Sequence, residues 1–192
     1  MPTPNPQALD FLLTRRSRPA KTLTLPIPSA DDLRPILEAA ARTPDHGKLE
    51  PWRFVVLQGA ALSRLAELTE RRGQELALEP EKIDKAKSQF ANAGLVVAVI
   101  SSPKPSEKVP HIEQLYSAGA VCLALLNAAL ASGWGANWLT GWMAFDAPFL
   151  TEGLHLADGE AVAGFMHIGT ETSAPPDRPR PDLDAITSWV NE

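Results

Sequence analysis

The sequence has a single cysteine, Cys122, among its 192 residues. A disulfide within the chain is therefore impossible, which predicts a reducing compartment and a cytoplasmic location. The first residues show no basic segment followed by an apolar one, so a signal peptide is not predicted. The most apolar run, residues 118–131, is shorter than the roughly 20 residues that span a bilayer and contains Asn127. We interpret it as a buried helix and expect no membrane association.

The chain also has no excess of positive charge. Its formal net charge is -5, which argues against nucleic acid as a partner. The basic residues are nevertheless clustered at positions 15–18 and 178–180. Local cationic clusters in an acidic protein favour a small anionic ligand.

Several catalytic signatures are missing from the sequence. It has no Gly-x-Ser-x-Gly elbow and no His-Glu-x-x-His, and its four histidines lack the spacing of metal ligands. Gly133 and Gly135 follow a predicted helix rather than a strand, so they do not form a dinucleotide fingerprint. Gly47-Lys48 lacks the earlier glycine of a phosphate-binding loop. The sequence therefore predicts neither hydrolase chemistry nor a metal site.

Hydrophobic periodicity predicts helices that alternate irregularly with at least three strands, which is typical of a layered α/β or α+β domain. For the helix that contains Leu33 and Ile36, we predict Asp31 or Asp32 as the N-cap, because Pro35 is tolerated only in the first turn of a helix. The predicted helices span about 6–14, 33–40, 62–68, 80–90 and 112–132, and the predicted strands span 53–57, 95–100 and 161–168. We expect a single domain over residues 1–192, with a C-terminal extension from about residue 174.

Two segments carry candidate binding residues. The loop at residues 41–53 brings Arg42, His46 and Lys48 close together in sequence; these could hold an anionic or carbonyl-rich ligand, or could simply be solvated. The tryptophan- and glycine-rich residues 134–142 could supply stacking faces and backbone amides for a flat ring, or could fill the core.

These segments together resemble the FMN-dependent nitroreductase family, in particular its compact bacterial members. The matching segments are LLTRRS at 12–17, ARTPDHGKLEPWRF at 41–54, KVP at 108–110, SAGA at 117–120, G-x-G-x-x-W at 133–138 and G-F-x-x-x-G-T at 164–170. The resemblance implies an α+β, three-layer fold whose central, mostly antiparallel sheet is flanked by helices. It also implies an intertwined homodimer with FMN bound at the subunit interface.

The resemblance further implies which residues bind the cofactors, with the chemistry carried by FMN rather than by a catalytic side chain. FMN would contact Arg15, Arg16 and Ser17 of one subunit, Arg42 and His46 of the other, the loop residues Trp138, Leu139 and Thr140, and a late basic residue, Arg178 or Arg180. Nicotinamide binding would involve Ala128, Ala129, Leu130, Ala131, Ser132 and Gly133. We further expect one of Arg15 and Arg16 at the flavin ring edge or ribityl chain and the other at the phosphate.

The first loop departs from the larger family members, which have Ser-Ser-x-Asn where this chain has Asp45-His46-Gly47-Lys48. Glu50 also replaces a frequent glutamine. We therefore expect FMN to bind but do not transfer a substrate preference. The expected activity is ping-pong hydride transfer from NADH or NADPH through FMN to a small oxidised acceptor such as a nitroaromatic or a quinone. The alternatives are a flavin-binding or flavin-processing protein without NAD(P)H turnover, and a purely structural helical dimer.

Overall fold

The computed structural model describes residues 3–191, which form an α+β fold. Its helices are α1 (Pro6–Thr14), α2 (Ala30–Ala40), α3 (Ala60–Glu75), α4 (Pro80–Ala91), α5 (His111–Ala131), α6 (Ala147–Leu154) and α7 (Leu183–Ile186). Its strands are β1 (Leu23–Thr24), β2 (Trp52–Gln58), β3 (Leu95–Ser101), β4 (Gly135–Leu139) and β5 (Ala161–Glu171). Single 3₁₀ turns occur at Ala20–Thr22, His46–Lys48 and Trp142–Phe145.

The five strands form one antiparallel sheet around β5, the longest strand. One edge of β5 pairs with β3, which pairs in turn with β2. The other edge of β5 pairs directly with two strands, with β4 along residues 165–169 and with β1 at residues 170–171. The predicted strands are thus confirmed, and β3 is buried along its whole length, as expected of a strand covered on both faces.

Helices cover both faces of the sheet, which produces the expected three layers. Val96, Ala98 and Ile100 of β3 face a core formed with α3, α4 and α6. Leu95, Val97 and Val99 point the other way, into a core formed with α2 and α5. The two-residue period of a strand produces this division, since successive side chains lie on opposite faces.

The N-terminus of α2 corrects the predicted cap. Ser29, not Asp31 or Asp32, is the N-cap, and it forms a capping box in which its hydroxyl accepts from the backbone N–H of Asp32 and the Asp32 carboxylate accepts from the backbone N–H of Ser29. Pro35 therefore lies beyond the first turn. The cap satisfies two backbone donors, which offsets the single helical hydrogen bond that Pro35 removes.

Helix α5 is long and apolar enough to cross a membrane by length and composition. In the fold it packs against α2 and the sheet, and Val121, Cys122 and Leu125 are fully buried, as predicted for this segment. Burial raises the pKa of the Cys122 thiol to about 12. Gly133 follows the helix with a φ of 85°, the left-handed conformation predicted for the helix end.

Two apolar segments remain uncovered within one chain. Helix α1 buries none of its residues, and Leu9, Leu12 and Leu13 are exposed. The apolar residues of the C-terminal extension are also exposed, including Trp189 at 84%. An isolated nine-residue helix is only marginally stable in water, and exposed apolar segments commonly mark interaction surfaces.

Gly164 on β5 is required by the close approach of an indole ring. A Cβ atom at this position would lie 2.1 Å from Nε1 of Trp138, which donates a hydrogen bond to the Ala163 carbonyl at 3.2 Å. We expect Gly164→Ala to lower the free energy of unfolding by about 1–3 kcal/mol, because the indole must be displaced. Denaturant unfolding of the flavin-free protein measures this loss. The same substitution should cost much less in a Trp138→Leu background, and an equal cost in both backgrounds would contradict the explanation.

Arg53 and Glu160 form a bidentate ion pair between β2 and the start of β5, with N–O distances of 2.7 and 2.6 Å. Hydrogen bonding from Arg53 lowers the pKa of Glu160 from 4.5 to about 2. This stabilisation is therefore complete above about pH 5 and is lost as the pH falls towards 2. Arg53 is 39% exposed, so solvent screening reduces the expected contribution to about 1–2 kcal/mol.

Urea unfolding between pH 2 and pH 7 tests this contribution. Glu160→Gln should be less stable than the parent at neutral pH, and the difference should shrink in acid. A difference that stays constant with pH would contradict the assignment.

Candidate functional site

Four guanidinium groups meet near the end of α1. Arg15, Arg16 and Arg18 line one cavity, and Arg180 of the C-terminal extension lies close enough to act on the charge of Arg15. Burial first, and then the neighbouring arginines, lower the pKa of Arg15. We call these four residues the arginine cluster.

The arginine cluster is only partly neutralised by the protein. Glu171 pairs with Arg18 at 2.5 Å and Asp177 pairs with Arg180 at 2.9 Å. Within residues 3–191, Arg15 and Arg16 have no carboxylate partner, and Nε of Arg15 is buried without a hydrogen-bond acceptor. An uncompensated cationic group with an orphaned donor is suited to an oxyanion such as phosphate.

The neighbouring contacts hold the cluster in place. Arg15 donates to the Ser17 hydroxyl at 3.1 Å, and Arg16 donates two hydrogen bonds to the Pro176 carbonyl at 3.0 and 3.2 Å. The predicted residues Arg15, Arg16 and Ser17 are thus brought together, and the C-terminal extension reaches them. Among residues 3–191, the one hydrogen bond recorded for Arg178 is donated by its backbone N–H to the Asp177 carboxylate.

A second cavity of about 270 Å³ is lined in part by the turn that directly follows the arginine cluster in sequence. Arg18 lines the first cavity and Ala20 lines the second, and two residues of chain span at most about 7 Å. We call the second one the ring cavity. Its lining residues are Ala20, Lys21, Lys85, Ser88, Gln89, Asn92, Ala93, Leu139 and His167.

Of the three predicted loop residues, only Leu139 lines the ring cavity. Residues 135–139 form β4 rather than a loop, so Trp138 and Leu139 point to opposite faces of the sheet. The Trp138 indole lies over Gly164, while Thr140 follows the strand and is exposed. Because successive side chains of a strand lie on opposite faces, Trp138 and Leu139 cannot contact the same ligand from one face of β4.

The loop at residues 41–50 lies on another part of the surface. Arg42 lines one cavity with Lys48 and Trp52, and His46 lines another with Tyr116. Neither residue lines the cavity that contains Arg15 and Arg16. One chain alone therefore does not bring the two predicted halves of the site into a single cavity.

A strained backbone fixes the conformation of this loop. Lys48 and Glu50 have φ angles of 53° and 49°, in the left-handed region that non-glycine residues rarely adopt. The Asp45 carboxylate accepts hydrogen bonds from the backbone N–H groups of Leu49 at 3.2 Å and Glu50 at 2.7 Å. Asp45 thus holds the conformation that presents Arg42 and Lys48, and strain of this kind is commonly found at functional sites.

Helix α5 anchors both ends of the loop. The Ser117 hydroxyl donates to the Pro44 carbonyl at 2.8 Å and accepts from Nε1 of Trp52 at 3.1 Å. Nδ1 of His46 lies 2.8 Å from a Glu113 carboxylate oxygen. The loop is therefore held against the outer face of α5.

The predicted nicotinamide segment, residues 128–133, forms the C-terminal end of α5. Leu130 and Gly133 line the same cavity as Arg15 and Arg16. Ala129 is fully buried in the core, so its side chain is not available to a ligand, whereas Ala131 and Ser132 are exposed. The end of the segment, rather than its whole length, adjoins the arginine cluster.

Sequence reasoning missed Lys21, Gln89 and His167 as candidate site residues. They come from a turn, from α4 and from β5, and only the folded chain brings them to one cavity. No local signal marks them, because the motif at 164–170 leaves position 167 unspecified.

Comparisons with known proteins agree with this architecture. The model of the "Nitroreductase family" matches residues 12–170. The relative named "Putative NAD(P)H nitroreductase YdjA" of Escherichia coli strain K12 is 33% identical over 181 residues, which cover 94% of this chain and 92% of that protein.

Solved structures share the fold at lower sequence identity. The nitroreductase-like family protein from Bacillus cereus has a TM-score of 0.82 at 22% identity, with full coverage of both chains. A variant of the FMN- and NADPH-dependent nitroreductase NfnB from Sphigopyxis sp. strain HMH has a TM-score of 0.74 at 18% identity, over 96% of this chain and 99% of that one.

Proposed function

Because the chain belongs to the nitroreductase family, it is an oxidoreductase, and we propose that it passes electrons from NADH or NADPH through FMN to a small oxidised acceptor such as a nitroaromatic or a quinone. When bound, FMN would supply the hydride-transfer chemistry, and the nicotinamide and the acceptor would use its site in turn, as in a ping-pong cycle. The arginine cluster beside the ring cavity is the observation that carries this proposal.

The chain's residues fit FMN at both of its ends. Arg15 and Arg16 offer guanidinium donors to the phosphate, and the orphaned Nε of Arg15 gains an acceptor there. The ring cavity, with Leu139 in its wall, has room for part of a flat heterocycle. Lys21 and Lys85 place positive charge at this cavity and favour negative charge on the ring edge.

We propose that the protein acts as a homodimer in which Arg42 and His46 complete the site of the opposite subunit. The exposed leucines of α1 and the apolar residues of the C-terminal extension need a covering surface. The outer face of α5 is also apolar, with Ile112, Tyr116 and Leu123 exposed. Burial of these surfaces between two copies would explain why one chain leaves the predicted site residues in separate cavities.

An absorption spectrum followed by anaerobic titration tests the proposed reaction. We expect FMN-loaded protein to lose its visible flavin absorbance on addition of NADH or NADPH, and to recover it when nitrobenzoate or benzoquinone is added. Bound flavin that neither nicotinamide bleaches would contradict the proposal and favour a flavin-binding or flavin-processing protein. A colourless protein that ignores added FMN would leave only a structural role.

A further inference from the structure

The wall of the ring cavity contains two buried polar atoms without partners. Nε2 of His167 and Oε1 of Gln89 have no hydrogen bond among residues 3–191. His167 is only 3% exposed, and this burial lowers its pKa to about 4, so the imidazole is neutral at physiological pH. Buried polar atoms are normally paired, which indicates that a ligand completes both of these groups.

The chemistry of the two atoms defines that ligand. The Gln89 amide oxygen accepts a hydrogen bond, and a neutral imidazole can present Nε2 as a second acceptor. The Gln89 amide nitrogen and the Lys21 ammonium, at the same cavity, supply donors. The matching ligand edge therefore has a donor between acceptors, which is the carbonyl, N–H, carbonyl pattern of a cyclic imide.

We propose that His167 and Gln89 recognise the imide edge of the flavin ring, accepting a hydrogen bond from its N3–H group. This inference rests on the proposed FMN function and assigns the ring edge to residues other than Arg15 and Arg16. Leu139 lines the same cavity, while the two arginines line the adjacent one. The ring and the phosphate are thus divided between the two cavities, and His167 and Gln89 are positioning residues for the ring.

An N3-methyl analogue of FMN isolates this contact, because the methyl group replaces the hydrogen that N3 donates. Flavin fluorescence gives the dissociation constants of FMN and N3-methyl FMN for the flavin-free protein. We expect the parent protein to bind the analogue about ten-fold more weakly than FMN. His167→Leu should weaken FMN binding and bring the two constants close together.

Two further variants keep this test decisive. Gln89→Met changes a half-buried residue on a helix and should also reduce the discrimination, even if His167→Leu does not fold. Gln74→Met serves as the matched control, since it makes the same change at an exposed position of α3 that lines neither cavity. This control should keep the parent's preference for FMN.

Equal binding of the two flavins by the parent protein would overturn this inference alone. The same holds if His167→Leu and Gln89→Met retain the full preference for FMN. If the parent protein binds neither flavin, this inference and the proposed function both fail.

Discussion

Replacing both Arg15 and Arg16 with alanine is expected to raise the dissociation constant of FMN by about 100-fold or more. Each guanidinium would lose charge-assisted hydrogen bonds to phosphate, which contribute roughly 1.5–3 kcal/mol apiece. The loss should be large because Arg15 and Arg16 have no carboxylate partner in residues 3–191, so their charge is available to a ligand. Equilibrium titration of flavin fluorescence measures the constant.

Arg34→Ala is a suitable control for that measurement. Arg34 pairs with Glu38 on the exposed surface of α2, and such pairs contribute little to stability. This variant should retain the parent's flavin affinity. Lysine at positions 15 and 16 should restore part of the binding, since it keeps the charge but not the planar donor geometry. An unchanged flavin content after both alanine substitutions would refute the assignment.

Mixing two defective chains is expected to regenerate flavin binding. In a homodimer with shared sites, Arg15→Ala and Arg42→Ala each damage both sites. A heterodimer of the two variants has one site with both defects and one with none, so about half of its sites should bind FMN normally. Purification through a different affinity tag on each variant isolates that heterodimer.

The flavin content of the purified heterodimer then tests whether one chain or two build the site. If neither site of the heterodimer binds flavin normally, Arg15 and Arg42 of one chain contribute to the same site. Mixed parent chains carrying the same two tags control for any effect of the tags. Light scattering of each sample confirms that two chains are present.

Local pattern was sufficient to predict much of the architecture. The continuous apolar run at β3 indicated a strand covered on both faces, and the Gly133 position indicated the end of α5. Both signals act over a few neighbouring residues. The cap prediction of Asp31 or Asp32 is wrong because it relies on Pro35 alone, whereas the capping box between Ser29 and Asp32 starts the helix already at Ala30.

The ring cavity could not be predicted from local pattern. Lys21, Gln89 and His167 are far apart in sequence, and each is unremarkable among its own neighbours. Their association depends on the pairing of β4 with β5 and the packing of α4. The apolar residues of the last segment, among them Trp189, form an apolar set in the sequence, yet they are exposed in the described chain, so hydrophobicity alone did not predict their environment.

The burial of Cys122 also makes the protein convenient for spectroscopic labelling. Its thiol is inaccessible and, with a pKa of about 12, almost entirely protonated at neutral pH. A cysteine introduced on the surface would therefore be the one thiol that reacts readily with a maleimide or a spin label. Distances between paired labels could then be measured without first removing a native cysteine.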